Sequence, residues 1–149
     1  MIAAHSITVE IFVLPGENIN KIKQKFLNLF PFNLKEEKID LYEKSVIGFN
    51  KKIIKVLRID LLKNKHIKAF LDNLFNQLNE DIKRIIKEQA KKRLDQNLNF
   101  YLRFDKYNLL DKDLYKLTDQ GDCFYIKFKI AAFPKNESNA LAIIYDLLK

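Results

Sequence analysis

The sequence predicts an α+β fold, a largely antiparallel sheet of four to five strands with helices packed on one face. Three observations lead there. Five segments have the period-two alternation or β-branched character of strands. Four others repeat apolar residues at the three- and four-residue spacing of a helix. The resulting order, β-α-β-β-α-α-β-β-α, lacks the regular helix-strand alternation that a parallel sheet requires.

Ile7, Val9, Ile11 and Val13 point one way and Thr8, Glu10, Phe12 and Leu14 the other, so residues 7–14 form a strand that Pro15-Gly16 ends. Asn18 caps a helix whose Ile19, Ile22, Phe26 and Leu29 share a face and which Pro31 stops. Residues 38–42 read as a short strand with Ile39 and Leu41 on one face, and 45–52, with Gly48, as a loop. In a third strand over 53–62, Lys55 shares a face with Ile53, Leu57, Ile59 and Leu61, while Ile54, Val56, Arg58 and Asp60 take the other.

Ile67, Leu71, Leu74, Leu78, Ile82, Ile85 and Leu94 trace a helical stripe. It divides into two helices at Asn79, because Asn79-Glu80-Asp81 sets a capping side chain ahead of two acids in a first turn. Leu98, Phe100, Leu102 and Phe104 alternate with polar residues in a strand over 98–105, and the polar stretch 106–121 reads as a long loop. Residues 122–130 alternate again, with Phe124, Ile126, Phe128 and Ile130 inward and Cys123, Tyr125, Lys127 and Lys129 outward. Pro134 and Asn136 open a last helix with Leu141, Ile144 and Leu148 facing in. No repeat or linker divides the chain, which reads as a single domain over 1–149.

The 149 residues, 48% of them hydrophobic, suffice for a core and exclude a disordered chain. Three glycines and three prolines exclude collagen-like, linker-like and Gly-rich phosphate-loop readings. One cysteine excludes an internal disulfide and a Cys-cluster zinc site, and fits a reducing compartment. No run reaches the ~18 apolar residues of a membrane helix, and Glu10 interrupts the first apolar stretch. The expectation is a cytoplasmic protein with no membrane partner.

The net charge of +8 is localised. Residues 1–50 and 107–149 are each neutral, whereas 51–106 hold eleven lysines, all four arginines and seven acids. Such an excess points to an anionic partner, nucleic acid above all, although lysines on helix faces also serve solubility.

Catalytic and metal-binding patterns are sparse. His5 and His66 lack an acidic or Cys neighbour at ligand spacing, and none of Ser6, Ser45 and Ser138 sits in a nucleophile elbow. Cys123, in a strand, reads as a structural thiol. The acid pairs Glu36/Glu37, Glu80/Asp81 and Asp111/Asp113 lie in hydrophilic stretches. No cofactor is expected and the chain is read as a non-enzyme, a metal-dependent nuclease built from distant acids being the third-ranked alternative.

The outer face of the two late strands carries Tyr101 and Arg103 on one and Tyr125, Lys127 and Lys129 on the other. If these strands are antiparallel neighbours, tyrosines and cations share an open face. Single-stranded RNA is held on such faces by base stacking and phosphate contacts. The same face equally suits a homodimer contact or plain solvent.

The string Asn99-Phe-Tyr-Leu-Arg-Phe-Asp-Lys106, preceded by Lys92-Arg93-Leu94-Asp95, resembles a family of small archaeal proteins described as predicted exosome subunits or RNA-binding proteins. In that family a helix ends in Arg-hydrophobic-Asp, and a strand ending in Arg-hydrophobic-Asp-Lys follows. His5 before the first strand, the Pro15-Gly16 turn and Asp122 before the last strand are similar too. Gly48-Phe49-Asn50 matches a family turn in part, with Lys51 where the family often has proline.

The resemblance implies a fold like that of the ribosomal protein that contacts 5S RNA. It also implies an association with RNA processing through exosome or ribosome-biogenesis factors. It carries over Arg93, Arg103 and Lys106 as RNA contacts, with Asp95 and Asp105 orienting those cations. The leading expectation is therefore a non-catalytic RNA-binding protein that uses Lys55, Arg58, Arg93, Tyr101, Arg103, Lys106, Tyr125, Lys127 and Lys129. Lys83, Arg84 and Lys87 of the second long helix are expected to extend that surface. The alternative is an interaction module that dimerises or docks on a complex through its sheet face.

Overall fold

The computed structural model describes residues 2–149. Five strands form one antiparallel sheet: β1 (Ala4–Val13), β2 (Tyr42–Ile47), β3 (Ile53–Leu61), β4 (Asn99–Asp105) and β5 (Cys123–Ile130), in the spatial order β2-β3-β1-β5-β4. β1 is central, bonded to β3 on one side and β5 on the other. The α-helices among the described residues are α1 (Ile19–Asn28), α2 (Asn64–Gln77), α3 (Glu80–Glu88), α4 (Ala90–Arg93), α5 (Lys106–Lys112) and α6 (Glu137–Leu147).

Strand alternation decides which face the helices cover. Ile7, Val9 and Ile11 of β1, Leu57, Ile59 and Leu61 of β3, and Phe124, Ile126 and Phe128 of β5 are buried in one core. Ile22 and Phe26 of α1, Phe70, Leu71 and Leu74 of α2, Ile86 of α3 and Ile144 of α6 complete it. The polar halves of the strands are left on an uncovered face.

Caps set the helix starts as the sequence indicates. Asn18, Asn79 and Asn136 accept from the amides of Lys21 (3.2 Å), Ile82 (2.9 Å) and Asn139 (2.8 Å). Gly16 takes φ +85° in the turn after β1, a conformation natural to glycine. Asn79→Ala removes the cap on which α3 begins and should cost about 1 kcal/mol, or roughly 2–4 °C of melting temperature. A circular-dichroism melt checks this; an unchanged midpoint would deny the cap any weight.

Three expectations change. Residues 38–41 are not a strand: Ile39 and Leu41 pack against the core from a loop, and the edge strand is Tyr42–Ile47, inside the stretch expected to be a loop. The alternation at 39–41 reports loop anchoring, while a mostly exposed edge strand has little alternation to show. The polar stretch after β4 opens with α5 rather than coil. Asp105 caps it, accepting from the Asn108 amide at 3.0 Å, and Leu109 is buried. The second long helix breaks at Gln89 into α3 and α4, and Leu98 sits at φ +63° in the turn before β4.

Candidate nucleic-acid interface

Register carries one row of side chains across the uncovered face. Tyr42 pairs with Arg58, Arg58 with Glu10, Glu10 with Tyr125, and Tyr125 with Arg103, so the row crosses all five strands. A second row runs from Asp60 through Thr8 and Lys127 to Tyr101. Lys129 follows beside Asn99. Two depressions of about 780 and 330 Å³ lie on this face and share Glu10, Phe12 and Arg58 in their walls.

The aromatic and cationic groups meet on the β4–β5 side. The Tyr101 and Tyr125 ring centroids are 5.8 Å apart at 41°. The Arg103 guanidinium carbon lies 5.5 Å from the Tyr101 centroid and 5.2 Å from that of Tyr125, a cation–π cluster of two rings and one planar cation. Tyr101 donates its hydroxyl to Asp95 Oδ2 at 2.9 Å. Burial and that acceptor push the phenol up to about 12, so Tyr101 is a neutral, oriented ring across the physiological range. Burial also raises Tyr125.

On the β3 side Arg58 donates to Asp60 at 3.0 and 3.2 Å, and Thr8 donates to the same carboxylate at 2.6 Å. Burial works to raise the Asp60 carboxyl, but the Arg58 and Thr8 hydrogen bonds outweigh it and hold it below its ordinary value. Arg58 is therefore partly neutralised. Lys127 and Lys129 make no ion pair among the described residues.

The expected contacts thus divide. Arg58, Tyr101, Arg103, Tyr125, Lys127 and Lys129 converge on the uncovered face. Lys55 belongs to the opposite face of β3, beyond the end of the helical layer. Lys83, Arg84 and Lys87 ride on α3 among the helices, where Arg84 binds Glu88 at 3.2 Å.

Arg93 and Lys106 are buried and leave the list of available contacts. Arg93 donates to Gln89 Oε1 at 2.9 and 2.6 Å and to Asp119 Oδ1 at 3.2 Å, with 7% of its surface exposed. Lys106 is wholly buried, its Nζ 2.7 Å from the Phe12 carbonyl, 2.9 Å from Glu17 Oε1 and 2.7 Å from Asp122 Oδ2. Nor do Asp95 and Asp105 orient cations. Asp95 accepts from the Asn97 and Asn99 amides and from Tyr101, and Asp105 caps α5.

Tyr42 and Lys44 join the face from β2, which sequence reasoning placed elsewhere. Tyr42, Lys44 and Val46 share that face, but with Glu43, Ser45 and Ile47 on the other neither side is consistently apolar, so the strand carries little local signal. His66 is buried with Nε2 3.1 Å from Glu37 Oε1, and burial raises the Cys123 thiol, as suits an inert sulfur. No cluster of three or more His, Cys, Asp or Glu is placed to hold a metal among the described residues, and no helix is long and apolar enough to cross a membrane.

Fold and face together define a one-sided α+β protein that presents two adjoining, mutually tilted tyrosines and cations on an open antiparallel sheet. Residues 6–132 match the model of the family described as RNA binding, and the chain belongs to that family. A curated RNA-binding protein of Pyrococcus abyssi is 23% identical over 146 residues, spanning 98% of this chain and 94% of its own. Among solved structures, a protein from Archaeoglobus fulgidus is 22% identical with a TM-score of 0.82, over 97% of this chain and 99% of its own. One from Methanothermobacter thermautotrophicus is 23% identical with a TM-score of 0.75, over 99% of both chains. These structures share the fold.

Proposed function

We propose that this chain is a non-catalytic RNA-binding protein that holds single-stranded RNA on its uncovered sheet face. The cluster of Tyr101, Arg103 and Tyr125 beside Lys127 and Lys129 carries the reading. Bases stack on the rings and the guanidinium plane, while the lysines and Arg58 meet phosphates. The family match and the Pyrococcus abyssi relative, itself called an RNA-binding protein, support it. Service to an archaeal RNA-processing assembly, such as the exosome or a ribosome-biogenesis complex, is the finer part of this reading. The Arg103-Phe104-Asp105-Lys106 resemblance supports it.

Filter binding with a labelled, unstructured oligonucleotide over a salt series is the test. Log K should fall linearly with log salt, with a slope of about −2 to −3 if three or four phosphates are neutralised. No retention at low salt would sink the reading. Phe12 (45% exposed) and Tyr42 (57% exposed) on the same face favour a second reading, self-association through the sheet. Sedimentation over a wide concentration range separates the two, since a monomer throughout excludes it.

A further inference from the structure

The β2–β3 hairpin reaches past the helical layer. Leu57 is completely buried, but four residues further out Ile53 is 61% exposed, and its partner Ile47 is 79% exposed. At roughly 3.3 Å per residue the free arm is about 13 Å long. From Lys44 to Ile59 there is no acid, while the arm carries Lys44, Lys51, Lys52 and Lys55. None of these lysines makes an ion pair among the described residues. Lys44 stands on the uncovered face, Lys55 on the opposite one, and Lys51 and Lys52 at the tip. The tip is a defined turn. The Gly48 amide donates to the Lys52 carbonyl at 2.8 Å, Asn50 and Lys51 take φ +64° and +59°, and Ile54 Cδ1 lies 2.5 Å from where a β-carbon on Gly48 would stand.

We infer that this hairpin is a basic arm that enters a groove of double-stranded RNA, adding a duplex contact to the single-strand platform proposed above; the inference deepens that reading and rests on it. Glu43 at the base of β2 lies within electrostatic reach of Lys55, but Lys44, Lys51 and Lys52 have no such neighbour in the arm, and a polyanion relieves the repulsion among these like charges. Lysines on both faces and at the tip suit a partner that flanks the ribbon on two sides, as the phosphate walls of a groove do. A flat lipid surface meets only one face. A-form RNA offers a wide, shallow minor groove lined with ribose, against which Ile47 and Ile53 lose exposed apolar surface. The RNA class that fits the whole molecule is a duplex continued by a single-stranded segment.

The test uses fluorescence anisotropy with two labelled RNAs, a fully paired duplex of about 16 base pairs and an unstructured oligo(U). Three proteins are compared: wild type, the arm variant K44Q/K51Q/K52Q/K55Q and the face variant Y101A/Y125A. The arm variant should bind duplex at least about tenfold more weakly, with a salt slope shallower by about 3, and bind oligo(U) within about twofold of wild type. The face variant should bind oligo(U) more weakly and duplex within about twofold of wild type, with its salt slope unchanged. An arm variant that binds duplex like wild type overturns the inference and leaves the sheet reading standing; loss of oligo(U) binding alone by the wild type does the opposite. Equal losses on both RNAs overturn it as well, because the arm then contributes only general charge. So does unchanged duplex binding accompanied by a dimer turning monomeric, which makes the arm a protein contact. The four lysines are exposed, so the melting temperature should hold; if the variant fails to fold, K51Q/K52Q at the tip is read by the same criteria.

Discussion

Lys106→Met should destabilise the protein by about 3–5 kcal/mol, a fall of roughly 10 °C in melting temperature for a chain of this size. The wholly buried ammonium lies between Glu17 Oε1 at 2.9 Å and Asp122 Oδ2 at 2.7 Å and donates to the Phe12 carbonyl at 2.7 Å. It thereby ties the end of β1, the turn after it, the start of α5 and the start of β5. Methionine fills much of the same space but leaves two carboxylates facing each other with no cation between them. Burial works to raise the Glu17 carboxyl, but hydrogen bonds from Tyr107, Lys106 and the Leu14 amide outweigh it and hold it below its ordinary value. A carboxyl held low in the fold stabilises it above the unfolded pKa, and that stabilisation is lost as pH falls through the folded one. In the variant Glu17 loses one of the groups that hold it low, and protonation relieves the repulsion with Asp122. The gap between wild type and variant should therefore narrow from pH 7 towards pH 4, and paired urea melts at the two values measure it. A gap below 1 kcal/mol at pH 7 would show that the lysine is dispensable.

How much of this was legible in the sequence follows the range of the forces involved. Strand faces depend on neighbours two residues apart, and Asn18, Asn79 and Asn136 cap amides three residues away, so local reading finds them. For Tyr101, Arg103, Tyr125, Lys127 and Lys129, alternation placed each residue on the polar side of its own strand, while the antiparallel pairing of β4 and β5 that joins the two sides into one face was a condition the fold had to supply. Lys106 was not: its partners lie 89 residues upstream and 16 downstream, and only the folded sheet brings them together. Arg93 was hidden for the same reason, its distant acceptor being Asp119. A basic excess over 51–106 therefore mixes two populations, cations spent on the fold and cations free on the surface. Local charge counting cannot separate them. The edge strand β2 was misplaced because burial, the source of the alternation signal, is mostly absent along it.

Removing both rings from the uncovered face, as in Y101A/Y125A, should weaken binding of unstructured RNA by about 100-fold. Stacking is worth about 1–3 kcal/mol per base, and the two rings touch, so their losses do not simply add. No charge is removed, so the salt slope should stay at its wild-type value, which distinguishes lost stacking from lost phosphate contacts. Lys129→Gln should do the converse, lowering the slope by about 0.7 with a modest loss of affinity at any sequence. Tyr101→Phe keeps the ring and deletes only the hydroxyl bond to Asp95, so binding should remain within a few fold of wild type. Arg103→Lys keeps the charge but loses the plane set beside both rings at 5.2 and 5.5 Å, so affinity should drop while the slope persists. If Y101A/Y125A binds within threefold of wild type while remaining folded by circular dichroism, the tyrosines are packing residues. The uncovered face then holds RNA, if at all, through its cations alone.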